Sequence, residues 1–585
     1  MRNMRFLEFY CSNDNKNENK IHVPKGLDSV FNELRYLHWY GCPFKSLQSN
    51  FYPEHLVVLR MQDSNVEQLW NGAMQLVNLK EIDLSGSENL INCPDLSGAR
   101  NLDILYLDGC TSLLEIPSSL QYLSKLDSLS LLDCKSLRGV PDCFAGLESL
   151  KKLNMYGCSH VKMLPEMSCN IEYLNLSETP IEEFSPAIDN MSQLVELSLW
   201  RCSRIKSLPT SICKQKSLER LFLCHCSKID KLPDEIGALE SLIMLDIAGT
   251  ALREVPSSII HLNNLEMLSF KRCKVHDRMM NLLLLPSLGL CSLKNLDLTN
   301  CGIAKIPDNL THLSQLRRLY LGSNKFESMP ANVENLFNLE YLDISYCQRP
   351  QFLPKLPSIS INTVNCISLE VSQFLSVPYT ITRASKFYVS FANCFKLYRN
   401  GLKDIVEDVL QKIQSLVTLW TKQPYLKMSQ MIIFMVQHVK SLPVASICFP
   451  GSEISEWFSF RSSGSLITEE LPPGWNNNKF VGFALCAVIE TQHHRIVNSW
   501  DLYIYCVCNL KSKDGHWHIF TGKFNNVYMG SDHLMYPIDT GELCDNVEVT
   551  FQFYIETGLR LRLMYAQDLG KSTASFSFSE REDEP

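Results

Sequence analysis

Residues 101–119 read NLDILYLDGCTSLLEIPSS and contain the pattern L-x-x-L-x-L, which recurs along the first 347 residues of the chain. In this copy Leu105 and Leu107 alternate with Tyr106, as neighbouring residues of a short β-strand do. The two leucines therefore point to one side of the strand, and the tyrosine points to the other side. The first leucines of successive copies are about 21–24 residues apart, a spacing that is typical of one class of repeat protein.

About fifteen copies with this period predict a leucine-rich-repeat solenoid over residues 1–347. The expected fold class is α/β, with one strand per repeat in a parallel, horseshoe-shaped β-sheet. A single repeat cannot bury its own leucines, so the neighbouring repeats must cover them. Segments such as IPSSL at residues 116–120 follow the strands. Their proline fits a return segment, because it lacks the N–H group that a sheet ladder needs.

The chain has 23 cysteines, and nine of them occupy the same position in nine repeats, eight residues after the first leucine. In other repeats this position holds Ser87, Thr179, Thr250 or Asn324. Small side chains with a weak or moderate hydrogen bond donor fit a buried ladder between neighbouring turns. We therefore expect structural thiols at these positions, and neither metal ligands nor redox groups. The nine residues are Cys42, Cys110, Cys134, Cys158, Cys202, Cys226, Cys273, Cys301 and Cys347.

The repeat period ends near residue 348, where Pro350, Pro354 and Pro357 cluster. Residues 348–445 are predicted to form a post-repeat linker. Within it, residues 403–419 have apolar side chains at spacings of three and four residues, which predicts an amphipathic helix that packs on the end of the repeats.

The last part of the chain changes to a strand pattern. Residues 446–567 contain segments rich in β-branched and aromatic residues, separated by turn signals, and they predict an all-β antiparallel sandwich. Residues 568–585 are polar and charged and are predicted to be a flexible tail. The predicted strands of the sandwich are residues 480–489, 501–507, 547–553 and 559–565.

The composition of the chain excludes several classes of function. The formal net charge is −8 and no run of basic residues occurs, so neither nucleic acid nor a membrane is an expected partner. The first residues, MRNMRFLEFY, lack the apolar stretch of a secretory signal. No apolar run approaches the ~20 residues that span a bilayer. We therefore expect a soluble cytoplasmic protein, with the nucleus as an additional location.

Candidates for catalysis or metal binding are few. The histidines at 493, 494, 516 and 518 and the cysteines at 506 and 508 lack the spacing of paired zinc ligands. The string Gly570-Lys571-Ser572 lacks the earlier glycine of a phosphate-binding loop, because Tyr565 stands there. No Ser/His/Asp constellation is identifiable. We predict no cofactor, no metal and no enzyme activity, with a hydrolase activity of the sandwich domain as an alternative.

Two parts of the chain resemble one family. Residues 34–47 (LRYLHWYGCPFKSL) and 50–70 (NFYPEHLVVLRMQDSNVEQLW) are similar to the repeat region of plant TIR-NB-LRR disease resistance proteins. These are intracellular immune receptors with a Toll/interleukin-1-receptor-like domain, a nucleotide-binding domain and leucine-rich repeats. Residues 449–490, which begin FPGSEISEWFSF, resemble their C-terminal jelly-roll/Ig-like domain. The chain is expected to lack the first two domains, so their nucleotide switch and NAD cleavage are not carried over.

The resemblance implies the recognition module of an innate immune receptor that acts in the defense response. We expect the chain to bind a pathogen effector or a host protein through the concave face of the repeat sheet, with help from the C-terminal domain. A nucleotide-binding receptor chain is an expected partner in trans. The alternative is a truncated receptor-like scaffold or decoy that binds a host protein or a full-length receptor.

Side chains that face outward from the strands are the candidate binding residues, because solenoids bind partners on this surface. Interface cores favour Tyr, Trp, Phe, Met and Arg. Trp200, Phe222, Met244 and Met267 are interpreted as an apolar run across neighbouring strands. Alternatively, such residues only cover the sheet or contact a neighbouring domain. The candidates are Tyr106, Tyr156, Tyr173, Trp200, Arg220, Phe222, Met244, Met267, Arg318, Tyr320 and Tyr341.

Overall fold

The computed structural model divides the chain into two compact units, residues 1–325 with 336–339 and residues 326–335 with 340–585. The predicted helix at residues 403–419 and the predicted tail at 568–585 lie outside the residues that the structure describes. The described residues are 5–9, 33–47, 53–70, 72–164, 166–184, 188–189, 191–273, 289–354, 356, 360–370, 386–391, 394, 396, 444–448, 460–462, 466–470, 484–490, 503–511, 517–525, 548–555 and 560–566.

Fourteen short strands form a parallel sheet in the first unit, and each strand pairs with the next one along the chain. The pairing brings equivalent leucines together, so that Leu129 lies opposite Leu105 on one side and Leu153 on the other. The predicted leucine-rich-repeat solenoid is therefore confirmed. The strands are β1 (Phe6–Phe9), β2 (Tyr36–Trp39), β3 (Val58–Arg60), β4 (Glu81–Asp83), β5 (Ile104–Tyr106), β6 (Ser128–Ser130), β7 (Lys152–Asn154), β8 (Tyr173–Asn175), β9 (Glu196–Ser198), β10 (Arg220–Phe222), β11 (Met244–Asp246), β12 (Met267–Ser269), β13 (Asn295–Asp297) and β14 (Arg318–Tyr320).

Short 3-10 helices form the return segments of several repeats. Most of them begin directly after a proline with extended backbone, such as Pro117 at φ −70° and ψ 147°. Proline suits this position because its ring fixes φ near this value and a first-turn N–H would have no partner within the helix. These helices are Ser118–Tyr122, Asp142–Gly146, Thr210–Lys214, Ile236–Ala238, Ser257–His261 and Asp308–His312 in the first unit, and Ala331–Asn335 in the second.

The core of the first unit lies between the strands and the return segments. Leu105, Leu129 and Leu153 are at most 1% exposed, and so are Leu120 and Ile212 from the return helices. Each buried leucine side chain stabilises the fold by about 1.5–3 kcal/mol relative to an exposed one. The leucines of one repeat need those of its neighbours for this burial, which makes the array cooperative.

A residue with left-handed backbone conformation recurs in the turn after each described strand from β2 to β14, seven residues after the first leucine of the repeat. In these turns from Gly41 to Asn300, its N–H group donates to a carbonyl of the next repeat, as from Asp133 to Tyr156 at 2.7 Å. Parallel backbone bonding therefore continues past the three-residue strands. Glycine suits Gly86, because a Cβ there would lie 2.1 Å from the Asp63 carboxylate and would displace it. The residues are Gly41, Asp63, Gly86, Gly109, Asp133, Gly157, Glu178, Arg201, His225, Gly249, Arg272, Asn300 and Ser323.

The predicted cysteine ladder is confirmed, because all nine thiols are buried and none of them is in a disulfide. The Sγ–H of Cys158 donates to the Leu131 carbonyl of the preceding repeat at 3.1 Å. The thiol of Cys226 makes the equivalent bond to Leu199 at 2.9 Å. Burial raises the pKa of both thiols to about 12, so they stay protonated donors. The same bond is made by Cys110, Cys134, Cys202, Cys273 and Cys301.

The second unit also contains four parallel strands. Two of them lie within the segment interpreted as a linker, and a third crosses the predicted end of that segment at residue 445. The thiols of Cys366 and Cys394 donate to the carbonyls of Ile344 and Thr363, at 3.1 and 3.0 Å, as ladder cysteines do. Repeat-like structure thus continues where the leucine pattern has stopped. The strands are β15 (Tyr341–Asp343), β16 (Ser360–Asn362), β17 (Lys386–Ser390) and β18 (Val444–Cys448).

Two antiparallel sheets follow in the second unit, in the orders β19-β25-β21 and β20-β24-β22-β23. The sequence predicted β21, β22, β24 and β25, whereas β19, β20 and β23 were not predicted. Nowhere in the described ranges is there a helix long and apolar enough to cross a membrane. The strands are β19 (Phe460–Ser462), β20 (Leu466–Glu470), β21 (Ala484–Glu490), β22 (Tyr503–Lys511), β23 (Trp517–Asn525), β24 (Glu548–Ile555) and β25 (Arg560–Ala566).

Candidate functional site

The strand face is the surface formed by the first and third residues of β3–β14 and by the turn residues that follow them. The buried leucine between these two residues fixes the direction in which both of them point. Tyr156 and Trp200 lie in the turns, two residues beyond the ends of β7 and β9. Tyr341 belongs to β15 in the second unit. The remaining candidates lie on strands of the first unit: Tyr106, Tyr173, Arg220, Phe222, Met244, Met267, Arg318 and Tyr320.

The candidate side chains are half-buried, except that Arg318 is exposed. Half-buried side chains still have surface in contact with water, and a bound partner can cover it. In the register of the sheet, Met267 pairs with Met244, and Met244 pairs with Arg220. Phe222 lies level with Ser198 instead.

The predicted run of Trp200, Phe222, Met244 and Met267 is therefore wrong as a single row. Sequence spacing placed all four residues on one surface. The register separates the methionine pair, Phe222 and the turn residue Trp200 into three different rows.

An aromatic stack, consisting of Tyr156, Trp200 and Arg201, lies at the turn side of the strand face. The rings of Tyr156 and Trp200 are stacked, with centroids 6.1 Å apart and planes inclined by 17°. The guanidinium carbon of Arg201 lies 4.3 Å from the centre of the Trp200 ring. Glu178 forms an ion pair of 3.1 Å with Arg201. Cation–π attraction and the ion pair both restrict these long side chains.

Sequence reasoning missed Arg201 and Glu178, because both occupy the left-handed turn position rather than a strand. The sequence offered one clue. Glu178 directly follows Ser177, and Arg201 directly follows Trp200, and both preceding residues lie in the turns of the strand face. Arg220, which was predicted, is held by Glu196 at 2.7 Å and by Glu219 at 3.1 Å. The hydrogen bond to Glu196 raises the pKa of Arg220 further.

A strand-face depression of about 350 Å³ lies over β5–β9. Its lining includes Ser128 and Ser130 of β6, whose short side chains contrast with Tyr106 of β5 and Lys152 of β7 on the neighbouring strands. The depression thus arises where small side chains interrupt a row of large ones. Sequence reasoning did not predict it. The other lining residues are Tyr106, Asp108, Leu129, Lys152, Leu153, Asn154, Tyr173, Leu174, Asn175 and Glu196.

A larger groove of about 930 Å³ lies on residues that precede the strands β4–β9. Lysines and carboxylates share its lining, and Lys151 is paired with Glu172 at 3.1 Å. Asn101 donates through its side chain to the Val77 carbonyl at 2.6 Å, and Asn170 donates to that of Glu148 at 2.7 Å. These bonds between repeats give the groove a structural role. In the part of the chain that the structure describes, no group of three His, Cys, Asp or Glu residues could hold a metal ion.

Asp108 lines the strand-face depression, and its surroundings change the pKa of its carboxylate. It accepts hydrogen bonds from the Ser130 hydroxyl and from the N–H of Leu132. Burial raises the pKa of Asp108, and the charges of Asp83 and Asp133 act in the same direction. The two hydrogen bonds lower the pKa but do not cancel the rise.

Replacing Asp108 with asparagine is expected to raise the melting temperature at pH 7 by about 1–2 °C. The amide oxygen keeps the two hydrogen bonds, and the charge that burial disfavours is removed. Because the pKa of Asp108 is higher in the folded state than in the unfolded state, wild-type protein gains relative stability as the pH falls through that raised value. The difference in melting temperature between variant and wild type should therefore shrink at pH 4. An equal difference at both pH values would contradict this account of Asp108.

Three protein-family models match parts of the chain. A leucine-rich-repeat region model matches residues 222–293, and a leucine-rich-repeat model matches residues 291–348. A C-JID domain model matches residues 449–570.

The curated relatives match along nearly the whole chain. The chain is 33% identical to the disease resistance-like protein DSC1 of Arabidopsis thaliana, over 95% of this chain and 47% of that protein. It is 34% identical to the disease resistance protein RPP2B of the same plant, over 94% of this chain and 47% of that protein. The chain thus spans about half the length of these relatives. Among solved structures, the Leptospira interrogans LRR protein LIC12759 is 22% identical, with a TM-score of 0.43, over 58% of this chain and 89% of that one.

Proposed function

The chain is similar to plant TIR-NB-LRR disease resistance proteins in its leucine-rich repeats and its C-JID domain, and we propose that it binds a pathogen effector protein through the strand face. The names of the relatives support a role in plant immune recognition. Binding would be the recognition step of that role, and a nucleotide-binding receptor chain would pass on the signal. The cytoplasm is the compartment in which we expect this to occur.

The aromatic stack is the observation that carries the proposal. Residues that dominate the energy of protein interfaces are enriched in Trp, Tyr and Arg. Here Tyr156, Trp200 and Arg201 are held together before any partner arrives, at 6.1 Å between the rings and 4.3 Å between the guanidinium and the indole. Less side-chain entropy is then lost on binding, which leaves more of the contact energy for affinity.

The strand face is also large enough for a protein partner. A standard interface buries about 800 Å² on each side. Six neighbouring strands at a spacing of about 4.8 Å extend over about 24 Å, and β5–β10 carry both the depression and Phe222. Solenoid repeats and domains of this kind serve recognition, so we expect binding without catalysis.

Capture of an effector is expected to fall at least about tenfold when Trp200 and Phe222 are both replaced with alanine. The full chain and a panel of effector proteins from a plant pathogen would be co-expressed in leaf tissue, and complexes quantified by co-immunoprecipitation. Loss of Trp200 also releases Tyr156 and Arg201 from their stacked positions.

The matched control replaces Tyr122 and Phe337 with alanine. Both are aromatic and exposed, at 53% and 82%, and neither belongs to the strand face. Capture by the control variant should equal that of wild type. If the two variants capture an effector equally well, and circular dichroism shows both to be folded, binding through the strand face is refuted.

A further inference from the structure

Three side chains of the strand-face depression, Lys152, Asn154 and Asn175, present hydrogen bond donors to a ligand. Lys152 lines it, with its ammonium group 5.9 Å from the centre of the Tyr173 ring. Over the ranges that the structure describes, this lysine forms no ion pair with a carboxylate. Its positive charge is therefore available to a bound partner.

Two asparagines of the depression have a fixed orientation. The side-chain oxygen of Asn154 accepts the N–H of Tyr156 at 3.1 Å. The side-chain oxygen of Asn175 accepts the N–H of Ser177 at 3.1 Å. These bonds occupy the acceptor atom of each amide and leave its NH2 group as the part that can bind a ligand. Both residues line the depression, next to Lys152 and Tyr173.

The acidic residues of the depression are already engaged. Glu196 is bound by Arg220 at 2.7 Å, so its charge is largely compensated. Asp108 receives hydrogen bonds from Ser130 and Leu132, and burial raises its pKa. Among the described residues, Lys152 is thus the cation of the lining that no carboxylate pairs with, whereas the Asp108 carboxylate is held by neutral donors alone.

We propose that the strand-face depression receives a carboxylate side chain of the partner protein, a Glu or Asp flanked by an apolar residue. The carboxylate binds Lys152 and the amide NH2 groups of Asn154 and Asn175. The neighbouring apolar residue packs against the ring of Tyr173. This inference rests on the proposed function, since it specifies what the strand face recognises in an effector.

A carboxylate fits better than a phosphate. Asp108 and Glu196 share the lining, and a dianion would be repelled by them more strongly than a single negative charge. One lysine and two neutral amides also supply too little positive charge for a phosphate, which proteins usually bind with arginine clusters or helix N-termini.

The test uses a phage-displayed library of random 12-residue peptides, selected on the full chain. Selection on wild type is expected to enrich peptides with a Glu or Asp beside an apolar residue. In fluorescence polarisation, the affinity of these peptides for Lys152→Met should be about tenfold lower than for wild type. Lys125→Met is the matched control, because Lys125 is also an exposed lysine but lies in the groove that precedes the strands. It should leave the affinity unchanged.

A double-mutant cycle decides whether Lys152 and the peptide carboxylate interact. Changing the peptide's Glu to Gln should weaken binding to wild type about tenfold and change binding to Lys152→Met little. The inference would be overturned if the selected peptides lacked acidic residues. It would also be overturned if the change from Glu to Gln lowered the affinity equally for wild type and for Lys152→Met. Tighter binding of a phosphoserine version of the peptide would overturn it as well.

Failure of this inference and failure of the proposed function give different results. If Trp200→Ala with Phe222→Ala abolishes effector capture but Lys152→Met leaves it intact, the strand face binds effectors and the carboxylate site is wrong. If no effector is captured while the peptide cycle shows coupling, the carboxylate site is correct and the proposed function fails.

Discussion

Replacement of Asn324 with leucine is expected to lower the free energy of unfolding by about 4 kcal/mol. Asn324 is 3% exposed and occupies the ladder position that holds cysteine in other repeats. Its side-chain oxygen accepts the N–H groups of Cys301 and Ile303, both at 3.1 Å. Its NH2 group donates to the carbonyls of Leu298 and Leu321, at 2.8 and 2.7 Å.

Leucine has a similar volume but can make none of these four bonds. Two buried N–H groups would lose their acceptor, and each unsatisfied buried group costs about 1–3 kcal/mol. Urea denaturation followed by circular dichroism measures the change. Hydrogen exchange should also accelerate at the amides of Cys301 and Ile303, which marks the loss as local to this turn.

The control for this prediction is Asn264→Leu. Asn264 also bridges neighbouring repeats, since its NH2 group donates to the Glu240 carbonyl at 2.8 Å, but it is exposed to water. Water can replace its hydrogen bond, so we expect a loss of no more than about 0.5 kcal/mol. Equal losses in the two variants would show that ladder hydrogen bonds contribute no more to stability than surface bonds.

Leu129→Ala is expected to destabilise the first unit by about 3 kcal/mol. Leu129 is 1% exposed and lies between Leu105 and Leu153 of the neighbouring strands. Truncation leaves a cavity between three repeats, which return segments cannot fill because their own leucines pack against the same strands. Urea denaturation of the full chain measures the loss.

Leu132→Ala is the matched control, because Leu132 lies in the next turn and remains half-exposed. We expect Leu132→Ala to lower the free energy of unfolding by about 0.5 kcal/mol. A similar effect at both positions would mean that the alternation of buried and exposed residues does not determine the stability of the array.

Spacing alone was sufficient to predict the solenoid, since the leucine pattern specifies which side of each strand is buried. The cysteine ladder was predicted from a single position that recurs in the repeats. The hydrogen bond from the Cys158 thiol to the Leu131 carbonyl agrees with that prediction. The strands β16–β18 were not predicted because their sequences lack that pattern. In β16, for example, only Ile361 stands where the buried leucine would be, and Asn362 follows it as a buried residue.

The binding surface was predictable only in part. A sequence shows which residues point outward, but the rows across strands depend on the register, which separated Phe222 from Met244. The stack of Trp200 and Arg201 depends on turn geometry at a left-handed residue other than glycine. The depression depends on Ser128 and Ser130 being small between larger neighbours, which no motif describes.

In most of the three-residue strands the central side chain is buried and the two flanking side chains reach the surface. In β10, Leu221 is 0% exposed, while Arg220 and Phe222 on either side are accessible to a partner. Mutations that alter specificity can therefore accumulate at every second residue without compensating changes inside the protein. A gene built in this way can diversify its targets quickly while the folded scaffold is inherited unchanged.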